Sequence, residues 1–437
     1  MSADSNISPD SITANRHAEL AAHLRFVAAH SPHYRKHWGP IVGKTADTPL
    51  SALPPTDLET YWHSNTPLDS QVLTAPHADG PVFKSGGTTG NPKFSFFSNE
   101  DWRTFCTVFG AGMRRGGLQS GERVANLFYG GQLYASFLLI GRAVEEAGGG
   151  VQYPLSGAAP ADEVIKTLKQ FRIGTLAGVP TSLMSLLPAL AQAEAGTIHL
   201  TRFLYGGEAM FPDQVDALRQ VLPGCTVQSI GIAGVDYGEM GWSQPGGEHG
   251  VHHCFDESTV LEILDEAGRP LDEPGVSGEL LITNFRRRLM PVIRYPVGDR
   301  GMWIDPPGTP ARRFRVLGRS NNCARVGPVS LYVEDIQNIL SQVSAGQAFI
   351  GFQMQIDHAA QRDRCTLRIA VSRPQEVASS LTDAICRALA KERPMYSELV
   401  DQGVIHPLAV EWVTPNQMAS NPRTGKTPRV LDRRLPS

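Results

Sequence analysis

Phe83-Lys84-Ser85-Gly86-Gly87-Thr88-Thr89-Gly90-Asn91-Pro92-Lys93 is the most informative stretch of this chain. Gly86, Gly87 and Gly90 leave backbone N–H groups unhindered, and Ser85, Thr88 and Thr89 add hydroxyl donors. That combination is what a phosphate cradle requires. The spacing is not that of the G-x-x-x-x-G-K-[ST] loop. Taken alone, the run also fits a plain Gly/Thr surface turn.

Downstream of this stretch, strand and helix signals alternate. The pattern predicts a strand over 123–129 and a helix over 132–147 closed by Gly148-Gly149-Gly150. A helix over 161–171, a buried strand over 173–179 ended by Pro180, a helix over 183–195 and a strand over 202–205 follow. This order predicts an α/β fold with a mostly parallel sheet and helices on its faces. Beyond residue 257, segments 259–264, 278–283 and 314–317 read as hairpin strands of a small β-rich subdomain. From 319 onward, strands over 347–356 and 365–371 and a helix over 375–391 predict a small α+β domain. Upstream, Leu20, Leu24, Phe26, Val27 and Tyr34 predict a helix over 17–38 after a disordered start at 1–16. The expected plan is a large domain, 1–318, and a small one, 319–437.

At 437 residues the chain suits roughly two to three domains rather than one core. Forty basic against 43 acidic residues leave a charge of -3, without the basic stripe of a nucleic-acid binder. No run approaches the roughly 18 apolar residues of a membrane span, and the polar N-terminus is no signal peptide. A cytoplasmic location is expected. Cys106, Cys225, Cys254, Cys323, Cys365 and Cys386 are scattered without CxxC pairs and read as small buried hydrophobes. The run Glu248-His249-Gly250-Val251-His252-His253-Cys254 contains metal-ligating types, but neighbouring side chains on an extended segment diverge.

Ser85-Gly86-Gly87-Thr88-Thr89-Gly90-Asn91-Pro92-Lys93 resembles the phosphate loop of the adenylate-forming superfamily, the acyl- and aryl-CoA ligases and their relatives. Further resemblances follow in order: Tyr205-Gly206-Gly207-Glu208, Arg294-Tyr295-Pro296-Val297-Gly298-Asp299, Gly318-Arg319-Ser320-Asn321-Asn322 and Gly425-Lys426-Thr427-Pro428-Arg429. Within the superfamily the chain most resembles phenylacetate–coenzyme A ligases. Its length, Met290-Pro291-Val292-Ile293-Arg294-Tyr295 and Ser31-Pro32-His33-Tyr34-Arg35 carry that likeness.

The resemblance implies a two-step reaction. A carboxylate attacks the α-phosphorus of ATP to give an acyl-adenylate and pyrophosphate, and a thiol, usually that of coenzyme A, then displaces AMP. Such chemistry asks for positioning and charge cancellation. Ser85, Gly86, Gly87, Thr88, Thr89, Gly90 and Lys93 are expected to hold phosphates, with Gly206, Gly207 and Glu208 on the nucleotide side. Asp299, read at a strand end, is expected to clamp the ribose diol, with Arg319 nearby. Lys426, on a mobile small domain, is expected to sit between the substrate carboxylate and the α-phosphate as the catalytic cation. The acyl slot is expected to draw on Phe128, Tyr129, Tyr134, Pro180, Ala233 and Gly234, consistent with an aromatic acid; Phe128 and Tyr134 read equally well as core.

Two positions depart from the family pattern. Where Tyr-Gly-x-Thr/Ser-Glu would supply the Mg²⁺ carboxylate, this chain has Ile232-Ala233-Gly234-Val235-Asp236-Tyr237-Gly238-Glu239. Alignment on the preceding strand favours Asp236, and Glu239 remains a candidate. Asn321 stands where the family has a hinge Asp or Lys; it keeps the hydrogen-bonding shape without the charge, so the resemblance supports adenylation more strongly than the thiol half-reaction. Of the following hairpin only Gly327 clearly corresponds. Three readings stand at this point: a ligase using coenzyme A, an adenylating enzyme serving a carrier protein's phosphopantetheine or a partner enzyme, and a nucleotide- or acyl-binding protein without catalysis. The family often dimerises, but nothing in the sequence marks a self-complementary face.

Overall fold

The computed structural model describes residues 9–39, 49–85, 93–207, 210, 212–265, 267–319, 323–343, 349, 351–371, 373–377, 379–414, 417–419 and 428–434. Residues 86–92 connect strands β1 (Val82–Ser85) and β2 (Lys93–Phe96) and lie outside the described residues. The two strands pair antiparallel, with Ser85 opposite Lys93. Buried Phe83, Phe96 and Phe97 root this hairpin in the core.

Strands β3 (Arg123–Leu127), β4 (Val151–Pro154), β5 (Thr175–Gly178), β6 (Arg202–Tyr205) and β7 (Thr226–Ser229) form a wholly parallel sheet in the order β4-β3-β5-β6-β7. Its side chains alternate between two cores. Val124, Ala177 and Leu204 pack with Phe105, Phe109, Leu139 and Ile140 from helices Asn99–Arg115 and Ser136–Glu146. Ala125, Leu176 and Phe203 pack with Val164, Leu183, Leu190 and Leu218 from the helices on the other face. The chain leaves β3 for β4 on one side and returns to place β5 on the other. Ligands of open α/β sheets bind at the carboxyl ends of strands beside such a reversal.

An antiparallel seven-stranded sheet follows: β8 (Ile232–Gly234), β9 (Gly238–Trp242), β10 (Val251–Cys254), β11 (Thr259–Leu264), β12 (Ser277–Asn284), β13 (Val292–Trp303) and β14 (Arg313–Arg319), in the order β11-β12-β13-β14-β10-β9-β8. Leu24, Val27, Tyr34 and Trp38, from helices Pro9–His30 and Pro32–Trp38, pack against its Ile282, Val292 and Phe314. From Ala324 onward a separate core forms. It holds the hairpin β15 (Cys323–Val326)/β16 (Val329–Tyr332) and a sheet of β17 (Gly351–Ala359), β18 (Arg362–Ala370), β19 (Ala409–Val413) and β20 (Val430–Asp432), ordered β19-β18-β17-β20. Among the described residues no helix is long and apolar enough to cross a membrane.

The α/β class agrees with the sequence reading, and several boundaries differ. The first helix is described from Pro9, so residues 9–16, inside the stretch read as disordered, are helical. Residues 132–135 are not helical. Gln132 and Leu133 have φ of 49° and 65°, and the Leu133 carbonyl accepts from Lys84 N at 2.9 Å, which draws the segment to β1. The helix read over 183–195 is two short ones, Pro180–Ser185 and Leu187–Ala191; Pro188 has no N–H to continue the first ladder. The C-terminal helix starts at Ser379, after a turn of 3₁₀-helix at Pro374–Glu376.

Candidate active site

The β8–β9 hairpin brings Asp236 to the base of the glycine–threonine run. Ser85 Oγ donates to both carboxylate oxygens at 2.9 Å, and Ser95 Oγ donates to one of them at 3.0 Å. Ser85 ends β1 and Ser95 lies on β2, so the carboxylate touches both arms of the hairpin whose connection is residues 86–92. Among the described residues Asp236 has no ion-pair partner within 4 Å; its carboxylate accepts from these two hydroxyls, and the buried Arg287 guanidinium lies near enough to feel its charge. Such a carboxylate fits Mg²⁺, a hard ion that favours one or two carboxylates plus substrate phosphates over an all-protein cage. Among the described residues no group of three His, Cys, Asp or Glu could hold a metal by itself.

Lys93, opposite Ser85, lies with its ammonium 5.3 Å from the centre of the Trp62 ring. Trp62 Nε1 donates to Tyr295 Oη at 3.1 Å, and Tyr61 packs edge-on to Tyr295. Tyr61 and Tyr295 lie near enough to Asp236 to feel its charge. Burial pushes the Tyr295 phenol well above its usual range, and the Asp236 charge adds to the shift.

Glu239 occupies a different environment. It is 1% exposed, on β9, and accepts from Asn284 Nδ2 at 3.2 Å. Gly238 makes this contact feasible: its φ is 91°, and a Cβ there would stand 2.5 Å from Asn284 Nδ2. Burial raises the Glu239 carboxyl to about 7, against the pull of its hydrogen bonds. A cavity of about 10 Å³ adjoins Glu239, Asn284 and Arg287, room for one water. Among the described residues Glu239 makes no hydrogen bond to the β1–β2 hairpin that Asp236 meets.

Three of the expected acyl-site residues, and two expected on the nucleotide side, follow the carboxyl ends of parallel strands. Phe128 and Tyr129 follow β3, Pro180 follows β5, and Gly206 and Gly207 follow β6. A Cβ at Gly206 would lie 2.7 Å from Ile230 and 3.5 Å from the Phe128 ring, so only glycine lets this turn sit so low. Phe128, 3% exposed, belongs to the core beneath. Tyr129 is partly buried, its hydroxyl accepting from Ser182 Oγ at 3.0 Å. Tyr134 is 44% exposed, so of the two aromatics read as slot or core one is core and the other surface. Ala233 and Gly234 lie on β8, partly buried, leading into Asp236.

Asp299 is not at a strand end. It lies inside the twelve-residue β13, opposite Arg319 of β14, just after Gly298 at φ 79° and just before a register shift. The glycine and the shift bend the strand there, which let Asp299 mimic a terminus in sequence. Arg294 is structural. Its Nε donates to Glu262 at 3.0 Å, and its guanidinium also holds the carbonyls of Ser51 and Leu53.

Gly86, Gly87, Thr88, Thr89, Gly90, Glu208, Asn321 and Lys426 lie outside the described residues, as does the side chain of Arg319. The flanks of the tail segment are fixed, however. Buried Gln353 Nε2 donates to Ala419 O at 3.3 Å and Pro428 O at 2.9 Å, tying both ends of the stretch that contains Lys426. Met354 N adds a bond to Arg429 O at 2.8 Å.

The histidine run disperses. His249 meets Tyr205 Oη, His252 meets Ser229 Oγ, and His253 meets Ala311 O while stacking on Trp242. Sequence reasoning missed Ser95, Trp62 and Arg287. For Ser95 a signal existed, a lone hydroxyl between Phe94 and Phe96. The buried member of Arg286-Arg287-Arg288 had none.

No protein-family model matches the sequence. The chain is 24% identical to phenylacetate–coenzyme A ligase of Aromatoleum evansii over 370 residues, 81% of this chain and 78% of that enzyme. It is 25% identical to phenylacetate–coenzyme A ligase of Thermus thermophilus over 81% of this chain and 80% of that enzyme. Among solved structures, 2-hydroxyisobutyryl-CoA ligase, with 2-HIB-AMP and CoA in the thioesterification state, superposes with a TM-score of 0.74 at 20% identity, over 99% of this chain and 94% of that one. The same ligase in its postadenylation state gives 0.64. The chain is thus similar in sequence to phenylacetate–coenzyme A ligases and shares the fold of 2-hydroxyisobutyryl-CoA ligase.

Proposed function

We propose that the protein is an ATP-dependent, AMP-forming acid–thiol ligase that joins an aromatic or similarly apolar carboxylic acid to coenzyme A in the cytoplasm. The observation that carries this reading is the convergence of Ser85, Ser95 and Asp236 at the base of the glycine–threonine hairpin. The homology supports the reaction class.

On this reading, donors of residues 85–90 and Lys93 hold the β- and γ-phosphates, and Gly206, Gly207 and Glu208 border the nucleotide. Asp299 accepts from the ribose hydroxyls, with Arg319 opposite it. Asp236 is the carboxylate that holds Mg²⁺, which when bound supplies neutralisation of phosphate charge. Tyr129, Pro180, Ala233 and Gly234 flank the acid at the sheet reversal, with Phe128 as the floor. Residues 319–437 turn as a unit about Asn321 and bring Lys426 to the carboxylate and α-phosphate. There its ammonium relieves repulsion between two anions and stabilises charge growing on phosphorus. Turning the same unit away admits the thiol. The higher likeness to a thioesterification-state ligase supports placing the described arrangement on that side of the cycle.

Pyrophosphate exchange into ATP across a panel of aryl, arylacetic and short hydroxy acids tests the first half. Acid-dependent exchange is expected, and silence with every acid would favour a binding protein. Adding coenzyme A and following thioester by mass tests the second half. Adenylate without thioester would point to a carrier protein or partner enzyme as acceptor.

A further inference from the structure

Arg286, Arg287 and Arg288 follow β12, and the fold sends them to three places. Arg286 pairs with Glu19 at 2.8 Å on the surface. Arg288 lies over the Phe26 ring at 4.1 Å. Arg287 turns inward and is 3% exposed.

A guanidinium taken out of water is costly unless its charge and donors are met. Among the described residues Arg287 makes no ion pair, yet it is firmly held. Asn284 Oδ1 accepts from the backbone N–H groups of Arg286 and Arg287, both at 3.0 Å. Asp101 accepts from the next two amides, at 3.0 and 2.8 Å. The guanidinium stacks over Phe97 at 4.1 Å, and Nη2 points at Met290 Sδ. Its strongest contact is Nη1 to the Val235 carbonyl at 2.7 Å. That carbonyl belongs to the peptide linking Val235 to Asp236, and a charged donor on a carbonyl out of water is among the stronger hydrogen bonds.

We infer that Arg287 is a positioning residue for Asp236: it fixes the Val235–Asp236 peptide and so the direction in which the carboxylate meets Ser85, Ser95 and the nucleotide. The inference rests on the reading of Asp236 as the Mg²⁺ carboxylate. The tripeptide Val235-Asp236-Tyr237 forms the turn between β8 and β9, where ladder hydrogen bonds no longer hold the chain. An outside donor is what such a turn needs. Neither Phe97 nor Asp101 supplies one to it, and Arg287 does.

The test is calorimetric titration of the whole protein with ATP, with and without Mg²⁺. Side chains that orient a metal ligand typically change metal affinity about 10- to 100-fold when removed. Arg287→Met, which keeps volume and apolar packing, is expected to weaken Mg²⁺-ATP binding about 10-fold while metal-free ATP binding stays within about 2-fold. Arg287→Lys, which keeps the charge but offers a single compact donor, is expected to fall between Met and wild type. In the Asp236→Asn background, Arg287→Met is expected to add nothing further, as for two residues acting through one ligand. Should the Met variant not fold, Arg287→Lys carries the same comparison in both backgrounds.

Wild-type Mg²⁺-ATP affinity in the folded variants, or an equal extra loss in the Asp236→Asn background, would overturn the inference. If Asp236→Asn alone leaves Mg²⁺-ATP binding unchanged, the reading of Asp236 falls first, and this inference with it.

Discussion

Asp236 and Glu239 belong to one hairpin and occupy different media. Asp236, in the turn, is half-buried and answers three hydroxyl hydrogen bonds from the β1–β2 hairpin. Glu239, on the strand, is buried with one oxygen on Asn284 and its carboxyl raised to about 7. The turn meets Ser85 and Ser95 of the β1–β2 hairpin, and the strand carries its carboxylate into the core. A carboxylate's surroundings are thus set by which part of the hairpin carries it, and a shift of three positions exchanges a half-buried, hydroxyl-bonded carboxylate for a buried acid.

Substitutions can break that contrast, and the largest effect is expected outside that hairpin. Lys426→Ala is expected to lower acid-dependent pyrophosphate exchange on the order of 100- to 1000-fold, with ATP binding largely kept. Loss of binding instead would make the lysine a nucleotide anchor. Asp236→Ala should follow, about 100-fold down in exchange at moderate Mg²⁺ and partly recovered at high Mg²⁺.

Glu239→Gln should leave exchange within about 3-fold and change the pH profile of stability instead, because its carboxyl is raised in the fold. Below pH 4.5 both folded and unfolded chains hold the proton. Between pH 4.5 and 7 the unfolded chain releases it first, so wild-type stability falls across that window, on the order of 3 kcal/mol in all. Above 7 the loss is complete. Urea unfolding at pH 5, 6 and 7.5 should show this fall in wild type and not in the variant. Tyr134→Ala should be the mildest, within about 0.5 kcal/mol of wild-type stability because its ring is exposed. A several-fold rise in KM for the acid alone would keep Tyr134 at the acyl site.

Much of the fold was legible because punctuation and period agree. The strand read over 202–205 is bounded by loop residues before it and Gly206-Gly207 after it, and it appears as β6. Where one residue broke the pattern the reading slipped. Pro188 splits what periodicity made a single helix, and the positive φ of Gln132 and Leu133 begins the next helix late. Gly298 made Asp299 look terminal, while pairing with β14 keeps it inside β13.

Of the candidate site, Ser85 and Asp236, which the structure brings together, were legible because hydroxyls and acids advertise chemistry through residue type. Its supports were not. Gln353 ties Ala419 to Pro428, and Arg287 holds the Val235 carbonyl, across sequence distances that carry no local signature. Arg294 shows the converse: a residue in a recognisable motif whose guanidinium binds Glu262 and the Ser51–Leu53 carbonyls.

The central claim is that Asp236, and not Glu239, is the carboxylate facing the nucleotide. The most direct test is a Mg²⁺ titration of acid-dependent pyrophosphate exchange in wild type, Asp236→Ala and Glu239→Gln side by side. The structure predicts a half-activating Mg²⁺ concentration raised about 10-fold or more in Asp236→Ala and unchanged in Glu239→Gln. A normal Mg²⁺ curve for Asp236→Ala with a displaced one for Glu239→Gln would contradict it.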